Sequence, residues 1–163
     1  MLRSFLFTLL FSISVFAAIP NEQQINEHIK RGGRPEMSDI ESLKAQGYKT
    51  IINIDDDYNA ILREKEYAED LGFNYIANPI VVKERPKDEE IDMLLTEMQN
   101  PENFPIFIHC KAGRDRTGML SGLYRVFVDG WTADQAYAEM LKLGFRPQFK
   151  KLDDYFKYKT RGH

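Results

Sequence analysis

The chain contains a single cysteine, Cys110, so it can form no internal disulfide. Its stability must come from a hydrophobic core, and 163 residues are enough for one domain with one core. It also lacks a basic excess. The formal net charge of −3 gives no broad positive field of the kind that draws nucleic acid or an anionic membrane surface. Any anion it binds needs a local basic pocket. Internal repeats, low-complexity tracts and linkers are missing as well, which argues against an array or a multidomain chain. Long apolar runs are scarce: there is one at the N-terminus and none of membrane-spanning length after it.

That N-terminal run has the pattern of a secretory signal. Arg3 gives a short positive start. Residues 5–16 are apolar except for Thr8, Ser12 and Ser14, and Val15 and Ala17 stand where a signal peptidase reads small residues. The expectation is a signal over residues 1–18, cut after Ala17 or Ala18, then one domain over 19–163. The product would be exported, periplasmic or secreted, with no stable membrane span once the signal is removed. An uncleaved N-terminal anchor is the alternative. A lone cysteine in an exported protein makes most sense as a working thiol, since a second thiol could capture it.

The remaining pattern alternates strands and helices. Strands are expected over 25–31, 48–54, 73–77 and 105–109. Helices are expected over 38–46, 58–71, 88–99, 117–129, 132–143 and 148–159, several of them stopped by glycine. Residues 117–129 are apolar nearly all round and read as a buried helix. This order predicts an α/β fold with a mainly parallel central sheet flanked by helices, and ligands at the carboxyl ends of the strands.

The strand 105–109 leads straight into His109-Cys110-Lys111-Ala112-Gly113-Arg114-Asp115-Arg116-Thr117-Gly118. A strand, a short loop and a buried helix suit anion capture, because loop amides can turn inward and the helix N-terminus adds its positive dipole end. Arg116 offers a planar fork to two phosphate oxygens. A thiol inside such a ring of donors is favoured as thiolate, a good nucleophile at phosphorus. Thr117 can hydrogen-bond the sulfur as it leaves, Gly113 permits the tight turn, and His109 can orient the loop. The bland reading of Cys110, an inert buried thiol, does not account for the residues around it.

The segment resembles the active-site signature of the protein tyrosine phosphatase superfamily and matches every signature position. With Arg34-Pro35 in an early turn and the run 48–54, the chain resembles the small dual-specificity-like branch over roughly residues 25–150. The resemblance implies that family's fold, a two-step reaction through phosphocysteine, and no metal or other cofactor. It also implies a general acid on a loop upstream of the cysteine. Asp88 is the one aspartate of loop 78–88, and the role falls to it by position, with Glu84 and Glu89 as alternatives. Asp115 is a candidate for positioning water. The run Asp55-Asp56-Asp57 reads as a solvated strand end more readily than as a metal site.

The expected ligand is a phosphorylated small molecule. Lys111, Ala112, Gly113, Arg114 and Asp115 line the loop, and Lys83, Arg85 and Arg146 could extend its positive field. Cys-Lys-Ala-Gly is similar to inositol-lipid phosphatases of the tensin-homologue type, and the basic loop resembles enzymes that cleave inositol pyrophosphates. Export is also a property of the bacterial phosphatase-like phytases. The expectation is a phosphomonoesterase acting on inositol polyphosphates. A protein tyrosine or dual-specificity phosphatase is the alternative enzyme, and an idle phosphate-binding module is the alternative of another class. Nothing in the sequence fixes the oligomeric state.

Overall fold

In a computed structural model, which describes residues 18–163, a five-stranded sheet has helices on both faces. The proposed signal segment lies outside the described residues, apart from Ala18. The elements in chain order are β1 (Gln23–Gln24), β2 (Ile29–Gly32), α1 (Met37–Ala45), β3 (Thr50–Asn53), α2 (Tyr58–Asp70) and β4 (Asn74–Ala77). They continue with α3 (Asp88–Glu97), β5 (Ile106–His109), α4 (Asp115–Phe127), α5 (Ala133–Lys142) and α6 (Lys150–Lys159). The strand order is β1-β2-β5-β3-β4. β5 pairs in parallel with β2 and β3, β3 in parallel with β4, and only β1 is antiparallel.

Two elements differ from the sequence expectation. The strand expected over 25–31 is shortened to β2, starting at Ile29, and a two-residue strand, β1, stands ahead of it at Gln23–Gln24. Asn26 Oδ1 accepts from the amides of His28 and Ile29, both at 2.9 Å, and this side-chain turn competes with the extended ladder. The buried helix starts at Asp115 instead of residue 117, so Arg116 stands in its first turn.

Strand side chains alternate between two cores. Ile106 and Ile108 of β5, with Ile52 of β3, face the larger core built with α3 to α6. Phe107, with Ile51 and Tyr75, faces the smaller core under α1 and α2. Burial on both faces explains why β5 is apolar up to His109. As the central strand, β5 carries its carboxyl end, and therefore Cys110, to the middle of one edge of the sheet.

Candidate active site

Cys110 follows β5 directly and is 2% exposed, at the base of a loop that closes on α4. Three outward bonds decide the shape of this loop. The carbonyl of Lys111 accepts from Arg34 N at 3.2 Å. The carbonyl of Ala112 accepts from Asn21 Nδ2 at 2.8 Å, and that of Gly113 from Arg31 Nη2 at 2.7 Å. With three successive carbonyls held outside, the loop amides turn the other way. Those of Lys111 to Arg114 have no acceptor among the described residues. Unpaired amides in succession beside a helix N-terminus are the arrangement that suits an anion. Gly113 sits at φ +67°, and a Cβ there would lie 2.4 Å from backbone atoms of Gly32 and Gly33. Only glycine allows β2 and the loop to approach so closely.

Arg116 is held by one nitrogen. Its Nη1 lies 2.6 Å from Asp56 Oδ1, 3.2 Å from Asp55 Oδ1 and 3.4 Å from the Ile80 carbonyl. Its Nε and Nη2 have no partner among the described residues, so the edge able to grip two phosphate oxygens is left open. Asp55 is shared with Arg34, which donates to it from Nε at 3.1 Å and from Nη2 at 2.5 Å. Burial acts to raise the Asp55 carboxyl, but the Arg34 hydrogen bonds and the Arg116 charge outweigh it and hold the group below the usual carboxylate range. Asp57 also pairs with Arg34 and caps α2 through the Ala60 amide. The carboxylates of 55–57 are therefore taken up by arginines and a helix cap. Among the described residues no group of three or more candidate ligands stands ready for a metal.

Beneath the cysteine lies a buried polar cluster. Glu64 Oε1 contacts His109 Nε2 at 2.7 Å and accepts from Tyr75 OH at 2.9 Å and Asn53 Nδ2 at 3.1 Å. An oxygen with three donors suits an ionised carboxylate and places the His109 proton on Nε2. Tyr75 is pushed well above the usual phenol range, first by burial and then by the Glu64 charge. The Thr117 hydroxyl is fully buried and has no hydrogen-bond partner among the described residues.

Other sequence candidates stand elsewhere. Asp88 accepts from Tyr155 OH at 2.9 Å and Lys159 Nζ at 3.2 Å, and these two contacts lower its pKa. It ties the start of α3 to α6, and none of its contacts is with Cys110 or Arg116. Arg85 stacks over Tyr155 and Tyr158 and pairs with Asp88 at 3.9 Å, so it serves the same junction rather than the bowl. Asp115 is clamped by Arg146, with contacts of 3.0 Å from N, 3.2 Å from Nε and 2.6 Å from Nη2. This fixes the first turn of α4 and occupies both oxygens of Asp115. Lys83, Glu84 and Glu89 are exposed and make no ion pair among the described residues, as is Lys111 on the loop itself. Arg114 is half-buried and also without a carboxylate partner.

Sequence reasoning missed Asn21, Arg31 and Glu64, used Arg34 only as a mark of the resemblance, and read Asp55 and Asp56 as a solvated strand end, whereas Asp55 is fully buried between Arg34 and Arg116. One signal was present for Glu64: a single charge on the apolar face of α2 with Ala60, Ile61 and Ala68.

The comparisons agree with this geometry. The model of a family described as DSP-PTPase phosphatase fused to NAD+ kinase matches residues 13–154. The dual specificity protein phosphatase TpbA of Pseudomonas aeruginosa (strain UCBPP-PA14) is 28% identical over 127 residues, covering 77% of this chain and 55% of that protein. The inositol diphosphatase DSP4 of Arabidopsis thaliana is 30% identical over 124 residues, covering 73% of this chain and 61% of that protein. The chain thus spans little more than half the length of these curated relatives. Among solved structures, P. aeruginosa TpbA superposes with a TM-score of 0.72 at 22% identity, covering 85% of this chain and 84% of that one. The catalytic domain of the PP-IP phosphatase Siw14 from S. cerevisiae gives 0.70 at 20%, covering 88% and 91%. From the match over residues 13–154 and the Cys110–Arg116 loop, the chain belongs to the DSP-PTPase phosphatase family, in the small dual-specificity-like branch of the protein tyrosine phosphatase superfamily.

Proposed function

We propose that this protein hydrolyses phosphate monoesters through a phosphocysteine, with inositol polyphosphates as its substrates. The observation that carries the reaction is the tethering of three successive loop carbonyls, which leaves the amides of Lys111 to Arg114 without acceptors among the described residues in the loop that joins Cys110 to Arg116. The phosphate dianion binds to those amides and to Nε and Nη2 of Arg116. The Cys110 thiolate attacks phosphorus, the ester P–O bond breaks, and the leaving oxygen takes a proton to become an alcohol. Water then attacks phosphorus, giving up a proton, and the S–P bond breaks to release inorganic phosphate and restore the thiolate. The Thr117 hydroxyl can stabilise that departing sulfur. Both Asp56 and Asp88 are paired with a cation, so position decides between them: we favour Asp56 as proton donor because it contacts Arg116 itself, whereas the contacts of Asp88 are with α6.

The substrate class is supported by Lys111 and Arg114, cations of the loop itself with no carboxylate partner among the described residues, and by the likeness to an inositol diphosphatase. Phosphotyrosine is the second reading. Tyr58, 73% exposed, immediately follows the acidic triplet that flanks Arg116, and this rim suits an aromatic ester better than a polyanion. Phosphate release from inositol hexakisphosphate, an inositol pyrophosphate and a phosphotyrosine peptide would be compared for the native chain and Cys110→Ser. Faster release from the inositol substrates, abolished by the substitution, is expected. Preference for the peptide would overturn the substrate class, and equal rates for the two proteins would overturn the nucleophile. Export is part of the same proposal and rests on the N-terminal pattern; fractionation with N-terminal sequencing tests it.

A further inference from the structure

Arg31 has the largest of the fully buried side chains, at 2% exposure, and it has no carboxylate within ion-pair distance among the described residues. Every other buried or half-buried arginine around the loop except Arg114 has one: Arg34 has Asp55 and Asp57, Arg116 has Asp55 and Asp56, and Arg146 has Asp115. A guanidinium taken out of water without a counter-charge is expensive, and hydrocarbon of similar volume could fill the same space. Burial does lower its pKa, to about 10, and the negative charge of Cys110 acts against that shift. It is therefore still charged at neutral pH.

Its position shows where compensation can come from. Arg31 lies on β2 opposite Ile108, two residues before Cys110. Its guanidinium runs under the phosphate loop, where Nη2 donates to the Gly113 carbonyl at 2.7 Å. A Cβ on Gly118 would lie 3.6 Å from that same nitrogen, an ordinary contact distance, so the guanidinium also packs beside the first turn of α4. The charged groups around it are Cys110 on the loop, Arg125 on α4 and Glu139 on α5. Glu139 is already held by Arg125 through two contacts of 3.0 and 2.9 Å. The remaining counter-charge is whatever negative charge the bowl holds. The bonded Gly113 carbonyl belongs to the peptide whose N–H is that of Arg114, one of the free amides. A charged donor on the oxygen polarises that peptide and makes its N–H a stronger donor.

We propose that Arg31 is a second cation of the phosphate site, acting from beneath the loop: a positioning residue that fixes Gly113 and stabilises both the thiolate and a bound phosphate through the Gly113–Arg114 peptide. This rests on the phosphate-site reading above but not on turnover, so the test uses binding and alkylation. Inorganic phosphate is titrated calorimetrically into the native full chain, Arg31→Met, Arg31→Gln and Arg31→Lys. The rate of Cys110 alkylation by iodoacetamide at pH 7 and the Tm are measured on the same proteins. The neutral variants are expected to lose about tenfold or more in phosphate affinity and in alkylation rate, the worth of one charge-assisted hydrogen bond. Their Tm is expected to hold or rise, because an unpaired buried charge has gone. Arg31→Lys should keep more of both functions than Arg31→Gln. Should Arg31→Met fail to fold, the Lys and Gln pair decides. Equal losses in that pair, or neutral variants with lower Tm but native affinity and alkylation, would overturn the proposal. A native chain that binds phosphate and alkylates in the expected way but releases no phosphate from any ester would refute the catalytic reading and leave Arg31 in this role.

Discussion

The Glu64 carboxylate joins fold to chemistry, and its removal can be worked out in advance. In Glu64→Leu, His109 Nε2, Tyr75 OH and the Asn53 amide lose a shared acceptor at 2.7, 2.9 and 3.1 Å, in a place water does not reach. A buried donor left without a partner costs about 1–3 kcal/mol. Neighbours that share one oxygen relax together, so the three penalties do not add in full. The tyrosine and asparagine still bond each other, with Asn53 Nδ2 at 2.7 Å from Tyr75 OH. A total of about 3–5 kcal/mol follows, and at roughly 2–4 °C per kcal/mol for a domain of this size the melting temperature should fall by about 6–20 °C. Glu64→Gln keeps one acceptor oxygen and should lose roughly half as much. Thermal and urea unfolding followed by circular dichroism, with kcat/KM on an aryl phosphate in parallel, would measure both. In both variants kcat/KM should fall at temperatures where the protein is still folded, because His109 fixes the end of β5 next to Cys110. A loss of stability under about 1 kcal/mol, or full activity in the folded Leu variant, would refute the reasoning.

Asp56→Asn should lower kcat about 10²-fold or more on alkyl phosphates and far less on p-nitrophenyl phosphate, whose leaving group needs no proton; Asp88→Asn should show no such dependence, and the reverse pattern would return the donor role to Asp88. Asp55 has a folded-state pKa depressed below its unfolded value, so its contribution is complete above about pH 4 and is lost as pH falls through the folded value. Urea midpoints taken from pH 6 down to 2 should therefore fall less steeply at the acid end in Asp55→Asn than in the native chain. Lys111→Ala should weaken hydrolysis of inositol hexakisphosphate several-fold more than that of p-nitrophenyl phosphate, since the exposed ammonium meets a second phosphate only on the larger substrate; equal losses would count against the polyphosphate reading.

The sequence by itself determined the strand, loop and helix that carry Cys110 and Arg116, and the α/β architecture. These are local facts: an apolar strand, a loop with glycine where φ must be positive, and a buried helix lie consecutively over residues 105–127, and their periodicity and chemistry can be read in one pass. Tertiary structure alone decided which charges are free and which are taken. Arg85, Asp88, Asp115 and Arg146 look like site residues on the line of the chain, but they find partners in Tyr155, Lys159 and one another once α6 and the segment after α5 fold back. Arg31, Arg34, Asp55 and Glu64 look like ordinary strand and helix residues until parallel pairing brings β2 and β3 to either side of β5. A carboxylate or guanidinium has the same letter in the sequence whether it meets water, a counter-ion or a carbonyl. The electrostatic role depends on the dielectric and the partners around it, and only long-range packing sets those.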